Sequence, residues 1–259
     1  MPINKIVLIG AGRVATQIGK VFQKHGKNIS QIYSRTPESA KDLAVMLGAL
    51  PINDLTKIDH NADLYIISVS DDSIAGIATH LYLPGKIVVH TSGSVDMTAI
   101  QSISEKCGVF YPLNIFSKSH ETDFSTTPVC IEAQDKETED ELTELARTIS
   151  GDVRLISSQQ RAVIHLAAVF ACNFTNFMMV NADDILQRAG IDFDILLPLI
   201  TETIAKLRGT SPALAQTGPA LRNDFNVIRK HIEMLNHDPG KQLMYELISK
   251  QINDYFTTK

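Results

Sequence analysis

The sequence contains no tryptophan and only three cysteines in 259 residues. The cysteines are Cys107, Cys130 and Cys172, and their wide separation does not fit the close spacing of a metal-binding motif. An odd number of distant thiols is typical of a reducing compartment, so we expect a cytoplasmic protein. The N-terminus also lacks the basic, apolar and cleavage-site succession of a signal peptide.

The sequence has no basic excess. Its net charge of −5 and its pI near 5.9 argue against general binding of nucleic acid. The longest apolar segment, residues 162–182, contains His165, Asn173, Thr175 and Asn176. We therefore interpret it as a buried helix and not as a membrane span. A hydrophobic content of 44% suffices for a sizeable core.

The sequence does contain a glycine motif near its start, in the stretch Lys5–Ala15. Apolar residues 6–9 predict a buried parallel strand, and the residues after them fit G-x-G-x-x-A, a variant of the dinucleotide-binding fingerprint. Gly10 permits a sharp turn, and Gly12 lets a pyrophosphate approach the backbone at the N-terminus of a helix. The expected dinucleotide-binding residues are Gly10, Ala11, Gly12, Arg13 and Val14. A glycine turn in a domain without a ligand would show the same pattern.

The end of the second predicted strand, residues 28–33, indicates which dinucleotide binds. NAD-binding domains usually carry Asp or Glu about twenty residues after the glycines, whereas this chain has Ser34, Arg35 and Thr36. A carboxylate would repel the 2′-phosphate of NADP, but a guanidinium and two hydroxyls can bind it. We therefore expect NADP in preference to NAD. Alternatively, Arg35 is only solvated and Thr36 caps the next helix, since a proline follows it.

Two further predicted strands, residues 62–69 and 86–90, end in small or polar residues. Open α/β sheets bind ligands at the carboxyl ends of their strands. The cofactor contacts expected there are Val69, Ser70, Thr91, Ser92 and Gly93. The alternatives are a cap on the next helix by Asp71 or, in preference, Asp72, and ordinary turn chemistry in which Ser94 caps a helix over 95–104.

The pattern of elements changes near residue 156. Before this point, strands alternate with amphipathic helices, which predicts the α/β class with a doubly wound, Rossmann-like parallel sheet. After it, a long helix over 158–188 and further helices are predicted, without a convincing strand. We therefore predict a dinucleotide-binding domain over 1–156 and an all-helical C-terminal domain over 157–259.

Two groups in the helical part are candidates for substrate chemistry. His165 and Asn173 would lie about 12 Å apart on one side of a regular helix. His165 could act as the proton donor and Asn173 could position the substrate. Arg222, which follows a Gly-Pro turn, could hold an anionic substrate. The alternatives are a histidine and an asparagine satisfied within the core, and a salt bridge between Arg222 and Asp224.

Together, these motifs resemble a bacterial family of Rossmann-like proteins with a helical C-terminal domain of unknown function, often labelled NADP oxidoreductases. More distantly, the layout is similar to pyrroline-carboxylate reductases, prephenate dehydrogenases and phosphogluconate-type hydroxyacid dehydrogenases. The resemblance covers almost the whole chain and implies a cleft between the two domains and a homodimer formed through the helical domains. The segments that carry it are residues 10–15, Ser34-Arg35, residues 69–72, residues 90–93, Tyr111-Pro112-Leu113, Asn173, residues 217–219, Arg222, Asp224 and His231.

The chain departs from these relatives at two positions. Val169 stands where the hydroxyacid dehydrogenases carry a catalytic lysine before the helix asparagine, so their lysine chemistry does not carry over. Tyr111 stands where the family usually has histidine. We predict an enzyme that transfers a hydride between NADPH and a small anionic metabolite. The predicted catalytic residues are His165, Asn173 and Arg222. A nucleotide-binding regulator or sensor without turnover is the alternative.

Overall fold

A computed structural model of the chain describes residues 3–117 and 121–257. The chain divides into two compact units, Met1–Val169 and Phe170–Lys259. The described part of the first unit contains the whole sheet, and that of the second contains helices alone. The predicted domain boundary after residue 156 stays a prediction, because it concerns which segments fold independently.

The sheet of the first unit confirms the predicted fold class. In chain order its strands are β1 (Lys5–Ile9), β2 (Asn28–Tyr33), β3 (Leu50–Ile52), β4 (Leu64–Ile67), β5 (Ile87–His90), β6 (Cys107–Pro112), β7 (Val129–Ala133) and β8 (Val153–Leu155). Their spatial order is β3-β2-β1-β4-β5-β6-β7-β8. This order places β1 between β2 and β4, as expected for a doubly wound sheet.

Strand direction differs from the predicted all-parallel sheet at one place, since β6 and β7 are antiparallel. The described part of the connection between them holds only a 3₁₀ turn, Phe124–Thr126. A parallel crossover usually needs a helix, so the chain turns back instead. The edge strand β3 was not predicted, because it has three residues and contains Pro51.

Four helices of the first unit surround the sheet: α1 (Arg13–Lys24), α2 (Pro37–Leu47), α3 (Asp71–Ala78) and α4 (Lys136–Arg147). Alternate residues of β1 point to opposite faces. Ile6 and Leu8 pack in one hydrophobic cluster with residues of α1, α2 and α4. Val7 and Ile9 pack in a second cluster with residues of α3. Both faces of the sheet are therefore buried, as the apolar runs of the strands require.

The predicted helix over 95–104 is wrong. Only a 3₁₀ turn, Met97–Ile100, forms there, and its cap is Asp96, whose carboxylate accepts the N–H of Thr98 at 2.9 Å. Ser94 therefore does not cap a helix. The remaining helices are α5 (Ser158–Ala168), α6 (Thr175–Arg188), α7 (Leu197–Lys206), α8 (Pro212–Ala215), α9 (Phe225–Met234) and α10 (Pro239–Thr257).

The predicted long helix over 158–188 is helical throughout but not uniform. A π-helical segment, Val169–Phe174, joins α5 to α6. The helix begins with a capping box, in which Ser157 and Gln160 bond reciprocally. The prediction that 162–182 is buried is wrong, because its side chains are exposed or half-buried. By length and composition alone the helical run Ser158–Arg188, with a mean hydropathy of 1.7 in its most apolar window, could cross a membrane.

The second unit has almost no interior of its own. Among its described residues, only Ala220 and Leu235 are buried. Large apolar side chains lie exposed on several of its helices, among them Phe170, Phe174, Phe177, Leu199, Ile204, Phe225, Leu243 and Leu247. Apolar side chains that helical periodicity predicts to be buried therefore lie exposed in this unit.

Candidate functional site

The two glycines after β1 are needed for different reasons. Gly10 has a φ of 125°, and a Cβ at this position would lie 2.1 Å from the carbonyl oxygen of Ser68. Its N–H also donates to the carbonyl of Tyr33 at 2.8 Å, which ties the turn to the end of β2. A Cβ on Gly12, in contrast, would meet no atom of the described residues within 4 Å. The fold itself requires glycine at position 10, whereas the open backbone at position 12 suits the close approach of a phosphate.

A cleft of about 1240 Å³ lies at the carboxyl ends of the central strands. It is larger than the roughly 300–1,000 Å³ of ordinary small-ligand pockets, and its position is the usual ligand site of open α/β sheets. All of its lining residues belong to the first unit. They include every residue predicted to bind the cofactor together with His165: Gly10, Ala11, Gly12, Arg13, Val14, Ser34, Arg35, Thr36, Val69, Ser70, Thr91, Ser92 and Gly93.

The residues after β2 form an open corner of this cleft. The N–H of Thr36 donates to Oγ of Ser34 at 3.2 Å, which holds the turn. Thr36 occupies the cap position of α2, but its side chain makes no capping hydrogen bond. Arg35 is exposed and has no ion pair with a described residue. Asp54 also lines the cleft, but its carboxylate accepts hydrogen bonds from Thr56.

The loop after β4 corrects the predicted cap of α3. The helix begins at Asp71, so Ser70 is the preceding residue and Asp72 is already helical. Oγ of Ser70 lies 2.8 Å from Oγ of Ser73. The hydroxyl of Ser94 donates to the carboxylate of Asp71, which joins this loop to the loop after β5. Both loops line the cleft.

The loop after β5 is held by a buried histidine. His90 is fully buried, and its Nδ1 accepts the N–H of Ser92 at 3.2 Å. Burial, and secondly the positive charge of Arg161, lower the pKa of His90 to about 4, so its imidazole is neutral near pH 7. Oγ of Ser92 accepts the N–H groups of Ser94 at 3.1 Å and Val95 at 3.0 Å. Ser92 therefore has the turn role considered for this loop and also lines the cleft.

Tyr111 and His165 meet at the wall of the cleft. Oη of Tyr111 lies 3.3 Å from Nδ1 of His165, and the two rings meet edge to face with centroids 6.5 Å apart. A Cβ on Gly93 would lie 2.6 Å from Nδ1 of His165 and 2.9 Å from Cζ of Tyr111. Burial raises the pKa of the Tyr111 phenol, which therefore keeps its proton at neutral pH. Because Gly93 has no side chain, the rings of Tyr111 and His165 can pack against the loop after β5.

A buried arginine, which the sequence patterns did not single out, anchors α5. Arg161 donates to the carboxylate of Glu132 at 2.5 Å, to the carbonyl of Val95 at 2.5 Å and to Oγ of Ser158 at 3.0 Å. Glu132 also accepts the N–H of Ser158 at 2.9 Å. The helix that carries His165 is therefore fastened to β7 and to the loop after Gly93. The sequence feature that could have indicated this anchor is a single arginine at the start of an apolar predicted helix.

The other two predicted catalytic residues belong to the second unit. Asn173 lies in the π-helical segment, whose wider turn breaks the regular phase on which its predicted alignment with His165 rested. Arg222 is exposed and has no ion pair with a described residue, so the considered salt bridge with Asp224 does not form. Asp224 instead caps α9, and its carboxylate accepts the N–H of Val227 at 3.2 Å.

Hydrogen bonds within the second unit hold the turn around Arg222. Asn223 has a φ of 57°, an uncommon conformation for a residue other than glycine. The side chain of Asn253 on α10 donates to the side chain of Asn223. Further along α9, Nδ1 of His231 lies 2.7 Å from Oη of Tyr245. Arg222 thus projects from a turn that neighbouring side chains hold in place.

Comparison with known proteins gives two matches along the sequence. Residues 2–117 match the Rossmann-like domain, and residues 127–252 match the domain of unknown function DUF2520. The matched ranges agree with the resemblance stated from the motifs. No curated protein matches the chain.

Solved structures extend these matches to the whole chain. A "putative NADP oxidoreductase" from Bacteroides fragilis is 43% identical, with a TM-score of 0.93 over 97% of this chain and 98% of the other. A Thermotoga maritima protein is 22% identical over 98% of both chains, with a TM-score of 0.71. A 1-pyrroline-5-carboxylate reductase from Streptococcus pyogenes is 13% identical over 98% of both chains, with a TM-score of 0.61. The last two share the fold.

Proposed function

This chain belongs to the family of Rossmann-like proteins with a DUF2520 C-terminal domain, and from that premise we propose that it is an NADP-dependent oxidoreductase. The observation that carries the proposal is the composition of the cleft. The glycine turn, the Ser34–Thr36 corner, the two loops after β4 and β5, and His165 all line this one space. A dinucleotide site and a group able to exchange protons are therefore adjacent.

The cofactor is NADP. The Bacteroides fragilis relative is described as a "putative NADP oxidoreductase", and three features of this chain suit that cofactor. The backbone at Gly12 is open to a pyrophosphate, Arg35 is an exposed cation in the cleft, and Ser34 and Thr36 add hydroxyls beside it. Bound NADPH supplies the hydride, and the protein orients it and handles the accompanying proton.

The substrate is a small anionic metabolite. His165 is the acid/base, Asn173 positions the substrate and Arg222 holds its negative charge. Support for Arg222 is its exposed guanidinium on a turn with an uncommon backbone conformation, since such conformations cluster at functional sites. Support for Asn173 is its place in a π-helical segment, a feature frequent at functional sites.

Oxidation of NADPH by a panel of small carbonyl and imine acids tests this function. We expect turnover with at least one compound and a strong loss of kcat in His165→Ala. His60→Ala is the matched control, because His60 is exposed and lies outside the cleft lining. Full activity of His165→Ala would remove the role given to this histidine. Tight binding of NADPH without turnover across the panel would favour the alternative, a regulator or sensor.

The partner of the second unit is a further copy of this chain. A unit with only two buried residues among those described lacks a core of its own. Its many exposed apolar side chains support an interaction surface, since large exposed apolar patches mark such surfaces. The family resemblance drawn from the sequence motifs implies a homodimer through the helical units. We also place the protein in the cytoplasm, in line with its separate, free cysteines.

Sedimentation equilibrium of the purified protein tests the dimer. We expect a single species of twice the chain mass, and Phe177→Asp on α6 should shift it towards the monomer. Tyr82→Asp is the control, since Tyr82 is exposed on the sheet unit. A monomer at micromolar concentration would contradict the dimer. Recovery of the protein only with detergent would instead favour a membrane contact for the apolar helical run.

A further inference from the structure

We propose that Tyr111 is a further catalytic residue, which forms a two-residue proton relay with His165 at the wall of the cleft. The proposal rests on the oxidoreductase function and names a second group for the same site. Its geometric basis is the 3.3 Å contact between Oη of Tyr111 and Nδ1 of His165. Both residues line the cleft, and a Cβ at position 93 would lie within 3 Å of both side chains.

The direction of the hydrogen bond follows from the chemistry of the two groups. The half-buried phenol of Tyr111 keeps its proton, and Nδ1 of His165 is the hydrogen-bond partner of its oxygen. A neutral imidazole nitrogen is a good acceptor for this O–H. The hydrogen bond at one ring nitrogen decides which nitrogen carries the proton. Neutral His165 therefore carries its proton on Nε2, which has no hydrogen bond to a described residue.

Three other titratable groups near the pair are either buried outside the cleft lining, as His90 is, or already hydrogen-bonded. His90 is neutral, buried and bonded to the N–H of Ser92. The carboxylate of Asp71 accepts the hydroxyl of Ser94. Nδ1 of His80, which also lines the cleft, lies 2.8 Å from the carbonyl of Gly76. These assignments leave Tyr111 and His165 to exchange a proton with a substrate.

The proton transfers of the relay balance when the substrate is reduced. As hydride adds to the carbon of a C=O or C=N bond, the heteroatom gains an electron pair and takes the proton from Nε2 of His165. The O–H bond of Tyr111 breaks while a bond between that proton and Nδ1 forms, so the imidazole stays neutral. Nε2 then takes a proton from solvent in the cleft, and the proton on Nδ1 returns to the phenolate. This restores the O–H of Tyr111 and the starting tautomer of His165.

Nitrogen-15 NMR of the imidazole rings in the free protein tests the relay without a substrate. At a pH where His165 is neutral, we expect a protonated Nε2 and a bare Nδ1. In Tyr111→Phe the Nδ1 resonance should move, because its hydrogen bond is lost while the aromatic ring remains. Tyr82→Phe is the control, since Tyr82 is 72% exposed and lies outside the cleft lining. It should leave the His165 resonances unchanged.

Two outcomes would overturn the relay: a proton on Nδ1 in the wild-type protein, or an unchanged Nδ1 resonance in Tyr111→Phe. The wild-type spectrum decides the first even if the variant does not fold. Failure of NADPH to bind would overturn the proposed function and leave the pair intact, so the two failures are distinguishable. With a substrate in hand, Tyr111→Phe should lower kcat by roughly 10²- to 10⁴-fold while NADPH affinity is kept.

Discussion

The guanidinium of Arg161 lies 2.5 Å from the carboxylate of Glu132, and the arginine side chain is only 1% exposed. The two residues join α5 to β7, and the same guanidinium also holds the carbonyl of Val95. A buried ion pair contributes little net stability, but removal of one partner leaves an uncompensated charge in the interior. This contact therefore fixes where α5, and with it His165, lies against the sheet.

Arg161→Ala should lower the free energy of unfolding by about 3–5 kcal/mol, because Glu132 loses its buried partner. Urea denaturation followed by circular dichroism measures the change. Lys136→Ala is a useful contrast, since Lys136 is 73% exposed in its ion pairs with Glu139 and Asp140. An exposed pair is worth about 0–1 kcal/mol. A loss of unfolding free energy in Arg161→Ala no larger than the roughly 0–1 kcal/mol of an exposed pair would contradict the structural role of Arg161.

Gly10→Ala and Gly12→Ala should separate folding from cofactor binding. At position 10 the methyl group would collide with the carbonyl of Ser68 at a positive φ, which should cost about 1–3 kcal/mol of stability. At position 12 the methyl group meets no atom within 4 Å in the part of the chain that the structure describes. We therefore expect Gly12→Ala to keep the melting temperature of the wild type and to lose NADPH affinity. Thermal melts and calorimetric titration give the two quantities, and unchanged affinity in Gly12→Ala would place the dinucleotide elsewhere.

Gly93→Ala should displace the Tyr111–His165 pair. The added methyl group would lie 2.6 Å from Nδ1 of His165, so the rings must move, at a cost of about 1–3 kcal/mol. We expect shifted His165 ring resonances in NMR and reduced turnover. Gly209→Ala is the control, because a Cβ at Gly209 would have no neighbour within 4 Å among the described residues. An unperturbed His165 spectrum in Gly93→Ala would contradict the packing described for this loop.

Acid should destabilise the protein through His90. Its pKa is about 4 in the folded state and about 6.5 in an unfolded chain, so between these values the unfolded state binds more protons. The stabilisation is complete above pH 6.5 and is lost as the pH falls towards 4, by about 3 kcal/mol in all. His90→Asn should flatten this part of the stability curve, whereas His60→Asn, at an exposed position, should not. Urea denaturation at several pH values measures the slope, and an unchanged slope in His90→Asn would refute the assignment.

Local features of the chain were predictable because their causes lie within a few residues. The strand-turn-helix at Gly10 follows from an apolar run and two glycines, and the apolar strands fix the sheet. Convergence of the strand ends at one edge follows from the fold class. It explains why every predicted cofactor residue lines the cleft.

Other features depend on contacts between distant segments, which no local pattern reveals. The Tyr111–His165 contact joins residues 54 apart and needs the order of β5, β6 and α5. The antiparallel β7 follows a connection whose described residues, 113–117 and 121–128, hold only a 3₁₀ turn. The apolar pattern of residues 162–182 predicts a buried face, but the side chains are exposed or half-buried, because periodicity marks an apolar face without saying what covers it.

Calorimetric titration of the purified protein with NADPH and with NADH tests the central claim most directly. We expect NADPH to bind more tightly, and Arg35→Ala to weaken NADPH by roughly 10- to 100-fold, as loss of a charge-assisted phosphate contact implies. NADH affinity should stay nearly the same in that variant. Binding of neither nucleotide, or equal binding of both with no effect of Arg35→Ala, would contradict the assignment of this cleft to NADP.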